Sequence, residues 1–253
     1  PRWPLYGAFV IYIWGMFLSF TLAPKVDSAK GEDVALLAAD EGHLHGPHRQ
    51  PVKRPGLRTV GIAVTHALGA NAALRWLSGF LTFFLAFLLR EHPLTGSSAA
   101  VSLGIVAVAA GAGGALGTAV GAWLRQRAPE IIIVTVVAVV LGAAVVAALF
   151  FGAFLVACLT ATTGFCLALA KLSLDALIQR DVPELVRTSA FARSETMLQM
   201  AWVLGGAIGI VMPLNGPAGF FLAAAVIALG WVTTVRGLLS SARHGGAAKP
   251  RVA

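Results

Sequence analysis

The residues with the most capacity for chemistry are few, and they are scattered through long apolar runs. His43, His45 and His48 have a spacing that a metal could use, but no cysteine or firmly placed fourth ligand accompanies them, so they read as a solvated loop. Lys171 and Asp175 stand four apart, the spacing of a local ion pair on one helix face, and Arg193 and Glu195 fall at a similar depth in the next segment. Thr160, Thr162 and Thr163 cluster inside one uncharged stretch, while Gln199 and Trp202 lie in another. Hydroxyls in apolar helices usually bond their own backbone or a neighbouring helix. The Gln199 amide has more donors and acceptors to satisfy. With Arg75, considered below, the candidates for a substrate pathway are Arg75, Thr160, Thr163, Gln199 and Trp202.

Soluble-enzyme chemistry finds little footing. The sequence has no glycine-rich phosphate loop, no HExxH, no GxSxG and no paired acids inside an apolar run. All eleven acidic residues fall in, or within a turn or two of, the connections between such runs. The expectation is a protein that is not an enzyme and carries no metal or other cofactor. Cys158 and Cys166 are eight apart, about 12 Å along one helix, too far to bond to each other, and they read as small buried hydrophobes.

The elements that must position these residues are membrane helices. Apolar residues make up 58% of the 253, charged residues only 12%, and mean hydropathy is +0.82, far from the quarter-charged composition of a soluble domain. A net charge of +8 would point to nucleic acid in a soluble chain, but here it raises the question of which side of a bilayer the Lys and Arg occupy. No nucleic-acid partner is expected; the lipid bilayer is.

A crossing needs about 20 apolar residues. The first uncharged run gives a span over roughly Pro4 to Ala23, and another runs from Leu94 to Leu124. The 40 uncharged residues from Ile131 to Ala170 make two spans, broken near Phe151 and Gly152. Thr196 to Val235 makes two more, broken by MPLNGP at 212–217. Between Arg75 and Arg90 lie only 14 uncharged residues, about 21 Å of helix, so that span must reach back past Arg75 to about Thr65. Arg75 then sits inside the inner end of the helix, either snorkelling to the interface or facing a water-filled pathway.

This makes seven spans in an all-α bundle: residues 1–23 a first transmembrane helix, 24–58 a cytoplasmic loop, 59–235 a six-helix bundle and 236–253 a cytoplasmic tail. The loop mixes charges of both signs with Gly and Pro, and only EDVALLAAD within it suggests a short helix. Of the 19 Lys and Arg residues, 17 fall in alternate connections and only Arg2 and Arg90 in the others. That bias places the start of the chain outside and the C-terminus in the cytoplasm of a cell whose plasma membrane the protein spans. The chain opens on Pro1 with no signal-peptide pattern, and a fragment whose upstream part is missing is the expectation.

Glycines recur at Gly113, Gly117 and Gly121 in one span, and at Gly205 and Gly209 with Gly206 beside them in another. In lipid, small residues let helix backbones approach closely. Glycine forfeits side-chain contacts and helix stability. Two readings follow: static packing, or surfaces that slide and tilt.

At this point the residues resemble the C-terminal half of a major facilitator superfamily transporter of the drug-efflux kind. GTAVGAWLRQR (117–127), with Arg125 and Arg127 at a cytoplasmic turn, is similar to the C-half copy of that family's glycine and arginine motif, although it lacks the acid of the stronger N-half copy. RTSAFARSETMLQMAWVLGGAIGI (187–210) resembles the cytoplasmic start of helix eleven and carries Arg193 and Glu195. The resemblance covers essentially the whole chain and implies helix six, the central loop and helices seven to twelve. It implies a secondary active transporter working by alternating access, proton-coupled and exporting a small organic compound, with the N-terminal half of the same polypeptide as partner. It further implies that helices eight and eleven, the two glycine-striped spans, border the opposite bundle and tilt against it. The alternatives are a membrane-embedded enzyme, which needs a cluster of acids or histidines at one membrane face, and a seven-helix receptor.

Overall fold

In a computed structural model, residues 3–20, 62–94, 96, 98–124, 128–182 and 184–245 are described. Seven helices account for nearly all of them: α1 (Trp3–Phe20), α2 (Ile62–Glu91), α3 (Ala99–Leu124), α4 (Pro129–Leu149), α5 (Ala153–Asp181), α6 (Glu184–Val211) and α7 (Gly216–Gly245). The expected loop over 24–58, its three histidines, and Arg125 and Arg127 lie outside the described residues.

The chain divides into two units, Pro1–Lys53 and Arg54–Ala253. In the first, α1 is an uncharged helix of 18 residues exposing Phe9, Tyr12, Trp14 and Phe17. In the second, α2 to α7 are six helices long and apolar enough to cross a membrane. This is an all-α, multi-pass membrane protein.

The helix boundaries have local causes. Pro129 opens α4, where its missing N–H costs nothing, and Glu130 meets the positive helix end. Between α6 and α7 the Asn215 side-chain oxygen accepts from the Ala218 N–H at 3.1 Å, capping α7 after the proline break. The breaks at 150–152 and 212–215 fall where the sequence places them, and α2 does run back past Arg75. The helices also extend beyond the uncharged runs, and one bound needs correction. The stretch from Lys171 to Glu195 is almost wholly helix, because α5 continues through Asp181 and α6 begins at Glu184. Helix α7 runs beyond Val235 to Gly245, since nothing in VRGLLSSARHG breaks it. Helix α3 starts at Ala99 rather than Leu94, after the turn at Gly96 with its positive φ of 78°.

Inside the six-helix unit the closest pairs are α3 with α5 and α2 with α6, and α4 packs on both α5 and α7. The two close pairs match residue for residue. A side chain on Gly113 would strike the Ala161 carbonyl, and one on Gly205 would strike that of Trp76. Gly117 faces the Phe165 carbonyl as Gly209 faces that of Phe80. Gly164 abuts Ala110 and Gly114 as Gly79 abuts Trp202 and Gly206. Every α2 residue in this set maps to the α5 residue 85 positions on, and every α3 residue to the α6 residue 92 positions on. Helices α2 and α3 thus repeat in α5 and α6, and α4 packs on α5 as α7 packs on α2, which extends the correspondence to the third helix of each set.

These contacts correct the expectation that the glycine stripes face a second bundle. Gly113, Gly117, Gly121, Gly205 and Gly209 are buried in seams within this unit. On α3 the only fully buried residues are Ser102 and three of those glycines, so its closest approaches are of backbone, with Leu103, Val106, Val120 and Leu124 half-buried against the core.

Candidate functional site

Where α2, α3 and α5 meet, two adjoining cavities open. One, about 370 Å³, is walled by Leu81, Leu85, Leu103 and Val106 with the hydroxyls of Ser78, Thr82, Thr160 and Thr163 among them. The other, about 390 Å³, has Asn71, Arg75, Thr118 and Lys171 in its wall. Ser78, Ala110, Gly164 and Leu167 line both. Their size is that of small-molecule sites, and a mostly apolar wall with a few polar groups is the usual composition of one.

Most of the hydroxyls are already used. Thr82 donates to the Ser78 carbonyl at 2.7 Å, Thr118 to that of Gly114 at 2.9 Å and Thr160 to that of Ala157 at 2.9 Å. Thr163 differs: the residue lines the first cavity, while its hydroxyl is buried and has no hydrogen-bond partner. A buried hydroxyl left unpaired is costly and calls for an explanation. Asn71, 1% exposed, spends its amide N–H on the Ala67 carbonyl at 3.0 Å.

The charged groups divide unequally. Lys171 is gripped by two carboxylates, Asp175 at 2.6 Å on its own helix and Glu195 from α6. Neither acid belongs to the cavity wall. Arg75, half-buried, makes no ion pair or hydrogen bond among the described residues. At the far end of α5, Arg180 bridges Asp181 and Glu130, tying α5 to the start of α4.

Of the residues singled out from sequence, Arg75, Thr160 and Thr163 are brought together. Gln199 is exposed on α6 and lines neither cavity, and Trp202 is half-buried against Phe83, ring centroids 5.7 Å apart. Arg193 is exposed and Glu195 joins the Lys171 cluster. No group of three potential metal ligands occurs among the described residues. Cys166 is buried, Cys158 half-buried, and both are free thiols on α5.

Sequence reading missed Ser78, Gly79 and Gly164. The signal was present: Ser78-Gly79-Phe80 returns as Thr163-Gly164-Phe165, and Gly113-Gly114-Ala115-Leu116-Gly117 returns as Gly205-Gly206-Ala207-Ile208-Gly209.

The chain matches no family model. It is similar to uncharacterized proteins of two mycobacteria: 31% identical over 242 residues to one of Mycobacterium leprae, and 33% identical over 236 residues to one of Mycobacterium tuberculosis. Each alignment covers 91% of this chain but only 41% or 42% of the relative. The chain therefore spans about two fifths of the length of the curated relatives it matches.

Proposed function

We propose that this chain is one half of a secondary active transporter of the major facilitator type, in which two six-helix units rock about a central cavity and export a small organic compound. The observation that carries this reading is the repeat itself. Two repeated triplets, matched through Gly79 and Gly164 and through Gly113 and Gly205, enclose cavities at the junction of α2 and α5; six successive crossings would invert one against the other, the architecture of a transporter whose site lies between inverted repeats. The relatives are more than twice as long as the stretch they share with this chain, which leaves room for a second such unit. In this reading α1 is a seventh span, the C-terminus is cytoplasmic, the membrane is the plasma membrane, and the partner unit precedes this one in the same polypeptide. Coupling is to protons, and since the cavity walls hold Arg75 and Lys171 but no acid, the proton-binding carboxylate belongs to the partner unit.

The test is reconstitution of the full-length protein in proteoliposomes with an imposed pH gradient and a panel of amphipathic compounds. Transport above that of protein-free vesicles, abolished by a protonophore, is the expected result. Failure of well-folded protein to move any of the panel under either gradient direction sinks the proposal. Loss of coupling on neutralising Asp175 or Glu195 alone, with acids of the partner unit dispensable, overturns the assignment of the proton site.

A further inference from the structure

The two cavities lie between α2 and α5, two helices that the repeat relates, and the repeat offsets show which parts of the wall are equivalent. Ser78 corresponds to Thr163, and both line the first cavity. Elsewhere in the wall the correspondence fails chemically. Arg75 corresponds to Thr160, and Lys171 to Ala86. Related positions of α2 and α5 thus give the second cavity a cationic wall and the first a neutral, mostly apolar one. A site for a symmetric or uniformly apolar compound has no use for that difference.

The charge is also uncompensated. Both nearby carboxylates are engaged by Lys171, which leaves the Arg75 guanidinium without a counter-ion among the described residues. Counted back from Arg90 at the other end of the span, Arg75 is 15 residues away, about 22 Å along a helix within a hydrocarbon core of about 30 Å. A charge at that depth is expensive unless it faces a water-filled cavity or a partner. The cavity supplies the space and an anion would supply the partner. An unengaged guanidinium also offers a fork of donors matched to a carboxylate, sulfonate or phosphate.

We infer that the two adjoining cavities together bind a single-chain amphipathic organic anion, its one acidic head at Arg75 and its apolar body among Leu81, Leu85, Leu103 and Val106. The inference rests on the transporter reading for its purpose, but not for its test, which is binding.

The probes are radiolabelled decanoate, decanol and decyltrimethylammonium, with the full-length protein in nanodiscs of zwitterionic lipid. Decanoate should bind saturably, decanol at least about tenfold more weakly and the cation not measurably. Arg75→Gln should weaken decanoate by roughly tenfold to a hundredfold, the range for losing a charge-assisted contact, and leave decanol unchanged. Unchanged decanol binding also reports that the variant is folded. Arg75→Lys should retain most of the preference for the anion.

Equal binding of decanoate and decanol, preference for the cation, or an anion preference that survives Arg75→Gln overturns the inference, the last because Arg75 would then serve the partner unit. Loss of decanoate binding in nanodiscs containing phosphatidylglycerol also overturns it, by showing a lipid headgroup as the occupant. Anion binding without transport would leave the inference standing and remove the transporter reading; transport of cations without anion binding would do the reverse.

Discussion

Ser78 and Thr163 occupy equivalent positions in the two repeats, each just before the glycine that lets its helix touch another, and both line one cavity. The same short motif therefore builds a packing seam and places a hydroxyl beside the space that the seam leaves. Thr163 is the more exceptional of the two, because its buried hydroxyl has no partner.

Removing that hydroxyl should raise stability. Valine has nearly the same shape, and replacing an unsatisfied buried group by an apolar one removes a desolvation cost, so Thr163→Val should raise stability by about 0.5–1 kcal/mol. Thr160→Val, which deletes donation to the carbonyls of Val156 and Ala157, should be neutral or cost up to about 1 kcal/mol. Thermal unfolding of the two variants in nanodiscs checks this. A destabilised Thr163→Val would mean that the hydroxyl has a partner within the folded protein.

The seams give the sharpest positional contrast. Alanine at Gly79, Gly113, Gly164 or Gly205 drives a methyl into a backbone carbonyl of the facing helix, which cannot yield as a flexible side chain would. Each should cost about 1–3 kcal/mol or more, as overpacking does. Gly117→Leu should fail at the level of folding rather than of transport. Gly104 and Gly142 have open space around them, and alanine there should stabilise by about 0.5–1 kcal/mol. The recovery of monodisperse protein after graded heating ranks the series, and a flat ranking would show that the helices are not in close contact.

Element type and number were legible because hydrophobic runs bounded by charge or proline are the dominant signal in such a chain; α4, α5 and the break before α7 follow from it directly. Where the glycines pack was not. The stripe at 113, 117 and 121 announces a close approach but does not name the neighbour, and the neighbours prove to be Ala161 and Phe165 of the same unit. The isolated glycines Gly79 and Gly164 carry no stripe at all, yet they complete both seams. They become visible only when the segments containing SGF and TGF, and GGALG and GGAIG, are set against each other. Nor could spacing tell that Arg75 and Thr163 share neighbouring cavities while Gln199 stays outside them, since that depends on the rotation of α6 about its own axis.

Lys171 joins α5 to α6 through a shared ion pair, so its removal leaves two carboxylates with one another for company. The side chains are about one quarter to two fifths exposed, intermediate between the free surface and a dry interior: 29% for Lys171, 28% for Asp175 and 44% for Glu195. A double-mutant cycle of Lys171→Met with Glu195→Gln should give a coupling of about 1 kcal/mol, the upper end for exposed pairs. Lys171→Met alone should be worse than the double variant, because the single change strands like charges near each other. Additive effects in thermal unfolding would mean that the α5–α6 contact is held by apolar packing alone.

The distribution of positive charge makes a prediction about topology that also decides the status of α1. With 17 of 19 Lys and Arg in, or towards, one set of connections, reporters fused near residue 128 and at the C-terminus should lie in the cytoplasm, and one fused near residue 151 should lie outside. Helix α1, 18 uncharged residues and about 27 Å long, is just short of a hydrocarbon core of about 30 Å, a mismatch that local thinning can absorb. If it crosses, a reporter ahead of Trp3 lies outside and one within 24–58 lies inside. An alkaline phosphatase and green fluorescent protein pair at each of these positions reads both sides. The same signal ahead of Trp3 and within 24–58 would show that α1 lies on the membrane and that only α2 to α7 cross it.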